Sequence, residues 1–210
     1  AKARKKGHVQ ALEKLTEEVD GEYRLIEDVP LIVRETHADS GLPANEAIDG
    51  MLRAYVASLP PDRRLLLSRY RLVDAARKVV GVGSVGTSCW VLLLQGVDSD
   101  DPLFLQVKQA GPSVYEAHTQ PSRHDNHGER VISGKRLVQT ATDIFVGWGS
   151  LHGRDYYVRQ FRDMKIIPST DLIAPHLSEF ATACGETLAR AHARTGDPVA
   201  IDAYMGKGPK

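Results

Sequence analysis

The 210 residues carry 27 Lys+Arg against 27 Asp+Glu, so net charge is zero and nothing general favours nucleic acid or an anionic membrane surface. Hydrophobic residues at 42% and charged residues at 26% suit a folded globular chain, enough for one sizeable domain or two small lobes. No apolar run reaches transmembrane length, no signal-peptide core is present, and Cys89 and Cys184, each inside a predicted element, point to a reducing, cytoplasmic compartment.

In chain order, Val9, Leu12, Leu15 and Val19 recur at helical spacing and stop at Asp20-Gly21. Residues 23–26 and 31–33 are short apolar runs broken by Asp28 and Pro30, which predicts edge strands or extended loop. A polar loop over 35–45 ends at Asn45, a suitable N-cap. Ile48, Met51, Leu52, Tyr55 and Val56 then form one helix face, stopped by Pro60-Pro61, and a second helix starts at Asp62. Residues 72–78 stay open between helix and strand.

The next stretch carries the chemistry. Val79-Val80-Gly81-Val82-Gly83-Ser84-Val85-Gly86-Thr87 leads into Cys89-Trp90-Val91-Leu92-Leu93-Leu94, and then into Phe104-Leu105-Gln106-Val107-Lys108. A dinucleotide-binding unit needs a helix after its last glycine, to place an N-terminus under the pyrophosphate. Here β-branched, aromatic and aliphatic residues follow, closed by Asp98-Ser99-Asp100-Asp101-Pro102, which is a strand and a turn. Asp101 lies 20 residues beyond Gly81, where a ribose-binding acid would sit, but it belongs to that turn. A P-loop is a near miss as well, because Thr87 occupies its lysine position. A glycine-rich hairpin followed by a strand lysine is the phosphate-covering apparatus of protein kinases. An ordinary hairpin, whose glycines only supply positive φ, is the standing alternative.

Strand alternation puts Leu103, Leu105 and Val107 on one face of the lysine strand, and Phe104, Gln106 and Lys108 on the other. The aliphatic face predicts a packed core. The second face predicts a cleft where the Lys108 ammonium meets phosphates; a strand-end lysine in solvent is the plainer reading. Gly81, Val82, Gly83, Ser84, Val85 and Gly86 would turn backbone N–H groups toward the same phosphates.

Residues 112–127 are irregular, and His118, His124, Asp125 and His127 match no zinc spacing, which predicts a polar loop and no metal site. From Gly128, Val131, Leu137, Val138 and Ala141 predict a helix of about fifteen residues with Glu129 in its first turn. In a kinase-like lobe that glutamate pairs with the strand lysine. Glu116 is an open second candidate. Residues 144–148 and 156–161 predict a second hairpin around Leu151-His152-Gly153-Arg154. Arg159, Arg162 and Lys165 are most simply a solvated face, although they can also hold phosphate or an acidic partner. Leu177, Phe180, Ala181, Cys184, Leu188 and Ala191 mark a long amphipathic helix ending near Gly196-Asp197-Pro198.

The fold expected is therefore α+β. It comprises an N-terminal helical segment (1–70), a kinase-like nucleotide-binding lobe (71–165), and a hinge with the start of an incomplete, larger helical lobe (166–210). The lobe is an antiparallel sheet with a glycine-rich hairpin and one packed helix. Four strings sharpen this expectation: residues 77–87, 101–108, 153–160 and 188–194. Together they resemble an uncharacterised bacterial domain-of-unknown-function family of the protein-kinase-like superfamily, near the aminoglycoside phosphotransferases. The similarity covers nearly the whole chain.

The resemblance implies ATP and Mg²⁺ as cofactors, with a nucleotide and a small-molecule acceptor as partners. It also implies a circularly permuted layout, in which the G-D-x-H-x-x-N catalytic loop and a metal-binding aspartate segment precede the glycine loop. Neither string occurs here; the only Gly-Asp pair, Gly196-Asp197, is followed by Pro198-Val199-Ala200-Ile201. Catalytic and metal-binding residues are accordingly expected outside this chain, and none is assigned within it. The terminal segments likewise predict a piece of a longer protein, with self-association through apolar surface around Phe180 and Cys184. The function expected is the ATP-binding portion of a phosphotransferase; the alternative is a non-catalytic kinase-like binding or scaffold module.

Overall fold

The computed structural model describes residues 8–34, 44–79, 86–99, 101–161 and 168–206. The chain is α+β, as its patterning predicts. It divides into two compact units, one formed by residues 1–132 and 143–165, the other by 133–142 and 166–210.

The first unit is built on a six-stranded antiparallel sheet of order β3-β4-β5-β6-β8-β7. Its strands are β3 (Ile32–Val33), β4 (Arg71–Lys78), β5 (Cys89–Gln95), β6 (Pro102–Ala110), β7 (Gly147–Leu151) and β8 (Arg154–Gln160). The ambiguous stretch before the glycines is thus strand β4, held antiparallel to β5 through pairs such as Arg77↔Trp90 and Ala76↔Val91. Residues 32–33 join the same sheet through Ile32↔Lys78.

The N-terminal expectation needs one correction. Helix α1 (His8–Leu15) ends before Val19, which lies in strand β1 (Thr16–Val19), hairpinned to β2 (Glu22–Leu25). Asp20 and Gly21 both take positive φ, 55° and 80°, and form the two-residue turn. Asp-Gly is a strong hairpin signal, because two left-handed residues match the right-handed twist of the flanking strands. That local chemistry outweighs the helical spacing of Val19. His152 and Gly153, at φ 49° and 71°, make the same kind of turn between β7 and β8.

Alternation divides the sheet as the sequence implies. Leu103, Leu105 and Val107 of β6 lie in one core with Leu92, Val158 and the apolar face of α2 (Ala44–Ser58), which supplies Ile48, Met51, Tyr55 and, just past its end, Leu59. Helix α2 approaches β7 closely because two strand positions carry no side chain. A Cβ at Gly147 would meet Ser58 Oγ at 2.5 Å, and one at Gly149 would meet the Met51 carbonyl oxygen at 3.0 Å. Ser58 Oγ accepts the Trp148 N–H at 2.9 Å, and the Tyr55 hydroxyl donates to the Phe145 carbonyl at 2.7 Å. On the opposite face Phe104 packs with Ala11, Leu12 and Leu15 of α1, with Leu25, and with Val91 and Leu93. Apolar helix surface therefore covers one end of that face.

Helix α3 (Pro61–Leu67) follows α2, and α4 (His127–Val138) follows a 3₁₀ turn, Val114–Ala117, closed by a Ser113/Glu116 capping box. In the second unit Ser169 caps α5 (Thr170–Ile173), and Asp197 caps α7 (Pro198–Met205) through the N–H groups of Val199 and Ala200. Between them α6 (Leu177–Thr195) has no buried residue; Leu177, Phe180 and Leu188 are exposed. Among the described residues no helix is long and apolar enough to cross a membrane.

Candidate functional site

The site is organised by the registers of four strands. Lys108 of β6 pairs with Cys89 of β5 on one side and Tyr157 of β8 on the other, and Tyr157 pairs with Trp148 of β7. Paired residues share a face, so these four side chains form a row across the sheet. In the next row of β6, Gln106 faces Val91 and Arg159. Strand geometry thus gathers Cys89, Gln106, Lys108, Tyr157 and Arg159 on the face opposite α2, beyond the part covered by α1.

Of the glycine loop, Gly81, Val82, Gly83, Ser84 and Val85 lie outside the described residues. Gly86 is described and takes φ 80°, a conformation that glycine adopts without steric cost. The strands that lead into and out of this segment, β4 and β5, are adjacent and antiparallel. Lys108 sits directly beside the first residue of β5.

Two electrostatic features stand out on this face. The Lys108 ammonium makes no hydrogen bond or ion pair among the described residues. Gln106, only 2% exposed, accepts from Arg159 Nε at 3.1 Å and Nη2 at 3.0 Å, while its own Nε2 lies 3.6 Å from Cys89 Sγ. Burial pushes the Cys89 thiol above its ordinary range, against the opposing pull of Lys108, the Gln106 hydrogen bond, Arg159 and Lys78. Cys89 is therefore a protonated, sheltered thiol and not a nucleophile. Cys184 is exposed. Native protein treated with a thiol reagent at neutral pH should label at Cys184 alone, and denatured protein at both cysteines. Mass spectrometry checks this, and rapid native labelling of Cys89 would contradict its burial.

The two carboxylates considered for Lys108 are engaged elsewhere. Glu129 lies 3.4 Å from His124 Nδ1, and Glu116 lies 3.9 Å from Arg130 Nε while accepting from the Ser113 N–H. The structure does not bring either to Lys108. What fixes the start of α4 is Asp155, whose Oδ1 accepts from Asn126 Nδ2 and Ser150 Oγ, and whose Oδ2 accepts from the His127 N–H, each at 2.8 Å. Asn126 in turn accepts from the Glu129 N–H at 3.0 Å. A carboxylate at a helix N-terminus satisfies orphan donors and opposes the positive end of the dipole.

No group of three His, Cys, Asp or Glu side chains able to hold a metal occurs among the described residues. A cavity of about 250 Å³ lined by Pro30, Val33, Arg77 and Val79 gathers none of Cys89, Gln106, Lys108 or Arg159. The residue that sequence reasoning undervalued is Arg159. Its signal was Gln106, an amide inside an otherwise apolar strand, but only the β6–β8 register shows which residue of the second hairpin faces it.

No curated protein and no solved structure matches the chain. A family model described as "Uncharacterized protein conserved in bacteria (DUF2252)" matches residues 1–210, and the chain belongs to that bacterial family.

Proposed function

We propose that this chain binds ATP, as the nucleotide-binding portion of a kinase-like phosphotransferase. The carrying observation is Lys108: an ammonium without a counter-charge among the described residues, on the strand beside the glycine-bearing hairpin. An uncompensated cation in that position gains most from an anion that arrives with its own charge. The element order supports the same reading: paired strands β4 and β5 on either side of the glycine-rich sequence, lysine strand β6, helix α4, then the hairpin of β7 and β8. Residues 81–86 would supply backbone N–H groups to the phosphates, and Lys108 the charge. The described residues fit the phosphates of ATP. They do not fit Mg²⁺, for which they offer no acidic cluster, and the catalytic aspartate string is absent from the sequence. A cytoplasmic setting, with a small-molecule acceptor, goes with this reading; both cysteines are free.

A specific observation favours a second reading. Glu129 pairs with His124 and not with Lys108, which suits a kinase-like binding or scaffold module without catalysis.

Calorimetry with ATP, on the chain as it stands, tests the proposal. Lys108→Ala should weaken binding about tenfold or more, the worth of one charge-assisted phosphate contact, and Gly83→Val should weaken it too. Neither substitution should lower the unfolding temperature appreciably. The wild-type chain should bind without hydrolysing ATP, since positioning and metal-held charge supply nearly all the acceleration of phosphoryl transfer. Wild-type affinity in both variants would remove Lys108 and the loop from the site. Hydrolysis abolished by a substitution within this chain would overturn the assignment of catalytic groups elsewhere.

A further inference from the structure

We infer that Arg159, oriented by the buried amide of Gln106, is a second phosphate-binding cation beside Lys108, so that this face takes a linear polyphosphate. The inference rests on placing phosphate at Lys108, as proposed above.

Among the described residues Arg64 donates to the Leu59 and Ala57 carbonyls, whereas Arg34 lies near Glu17 and Asp74, and Arg130 near Glu116. Arg159 is held instead by a neutral amide oxygen through two of its N–H groups, Nε and Nη2. A guanidinium has five donors, so this clamp fixes the fork yet leaves three N–H groups and the whole charge available. No carboxylate stands within ion-pair distance of Arg159 among the described residues. Burying an amide is unfavourable unless its hydrogen bonds are made, so Gln106 at this core position is explained by what it holds.

Gln106 pairs with Arg159 and Lys108 with Tyr157, which makes Lys108 and Arg159 diagonal neighbours across β6 and β8. Such residues stand about 7–8 Å apart at the backbone on one face. That exceeds the span of the oxygens of one phosphate group, so adjacent phosphates of one chain can each meet one cation. Without ligand the two like charges repel across the same face, and a polyanion relieves that repulsion.

Calorimetry without added metal, using ATP, adenosine and inorganic tripolyphosphate, separates the sources of the chemistry. Arg159→Gln should weaken ATP and tripolyphosphate about tenfold while leaving adenosine unchanged, and Arg159→Lys should recover part of the loss. Arg159→Met keeps an unbranched apolar stem and gives the same readout should the glutamine variant fail to fold. Gln106→Leu should weaken both polyanions several-fold, with no further effect when added to Arg159→Gln, because Gln106 acts through Arg159. Arg159 variants with wild-type affinity, alongside a weakened Lys108→Ala, would overturn this inference and leave the Lys108 site standing. Arg159-dependent binding of tripolyphosphate without binding of ATP would support it and sink the nucleotide reading. Binding of neither polyanion by the wild-type chain would sink both.

Discussion

Gly128→Ala should destabilise the protein by about 3 kcal/mol, although alanine is the better helix former by up to about 1 kcal/mol. A Cβ at Gly128 would lie 2.2 Å from the backbone oxygen of Tyr156 and 2.7 Å from its carbonyl carbon. Tyr156 is in β8, paired with Gln109 and Gly149, so its backbone cannot yield without disturbing two ladders. The first turn of α4 must therefore move off the strand, and it would carry the Asp155 contacts to Asn126 and His127 with it. The same helix contains its own control. A Cβ at Gly134 meets nothing within 4 Å, so Gly134→Ala should stabilise by about 0.5–1 kcal/mol through backbone entropy alone. Urea unfolding followed by the fluorescence of Trp90 and Trp148, both in the sheet, measures each variant. Stabilisation by both substitutions would show that α4 does not depend on this close approach.

These two glycines show what the sequence holds and what it conceals. The helix is legible from its spacing, and both glycines are visible within it, but only the packing against β8 separates them. The faces of β6 were legible too, because strand period alone sends Leu105 and Lys108 to opposite sides. Pairing partners were not, since register is set by residues distant in sequence. Glu129 is a local case, since His124, five residues earlier, stands 3.4 Å from it. Unread register is why Arg159 reads as solvated when Gln106 holds it across the sheet. Asp155 was invisible as a helix anchor for the same reason: it lies in a strand 28 residues beyond the N-terminus that it caps. In the N-terminal hairpin the miss was local. Asp20-Gly21 has the side chains for a left-handed turn, and that signal deserved more weight than the fourfold spacing of Val19.

Helix α2 has the same bearing on the candidate site, from the other side of the sheet. Leu105 and Val107, the neighbours of Gln106 and Lys108 along β6, are seated in its core. Loosening α2 should therefore blur the positions of both polar side chains without touching either. Loss of affinity in a core variant would report on the sheet as a platform, which is why the Lys108 test is paired with a measurement of stability.

Tyr55→Ala should be the most damaging single change on that face, at about 4 kcal/mol, within the range for deleting a buried aromatic ring. Tyr55 has no exposed surface, and its ring fills the space that Gly147 leaves against β7. Tyr55→Phe isolates the hydroxyl and should cost about 1–2 kcal/mol at pH 8, because it leaves the Phe145 carbonyl without its donor. The pH dependence of that smaller difference is a sharper test. Burial, with the Asp143 carboxylate adding to it, pushes the Tyr55 phenol far above its ordinary value of 10.0. Above pH 10 the unfolded chain releases this proton and the folded chain keeps it, so stability falls as pH rises. Below pH 10 both states hold the proton and the contribution is present in full. The phenylalanine variant lacks this loss, although Tyr70 and Tyr157, also raised by burial, titrate in both proteins. The gap between wild type and Tyr55→Phe should therefore narrow above pH 10 by about 1.4 kcal/mol per pH unit. Urea unfolding of both proteins at pH 8 and pH 11 measures it. An equal gap at the two pH values would mean that the phenol reaches solvent, and that α2 does not seal this face of the sheet.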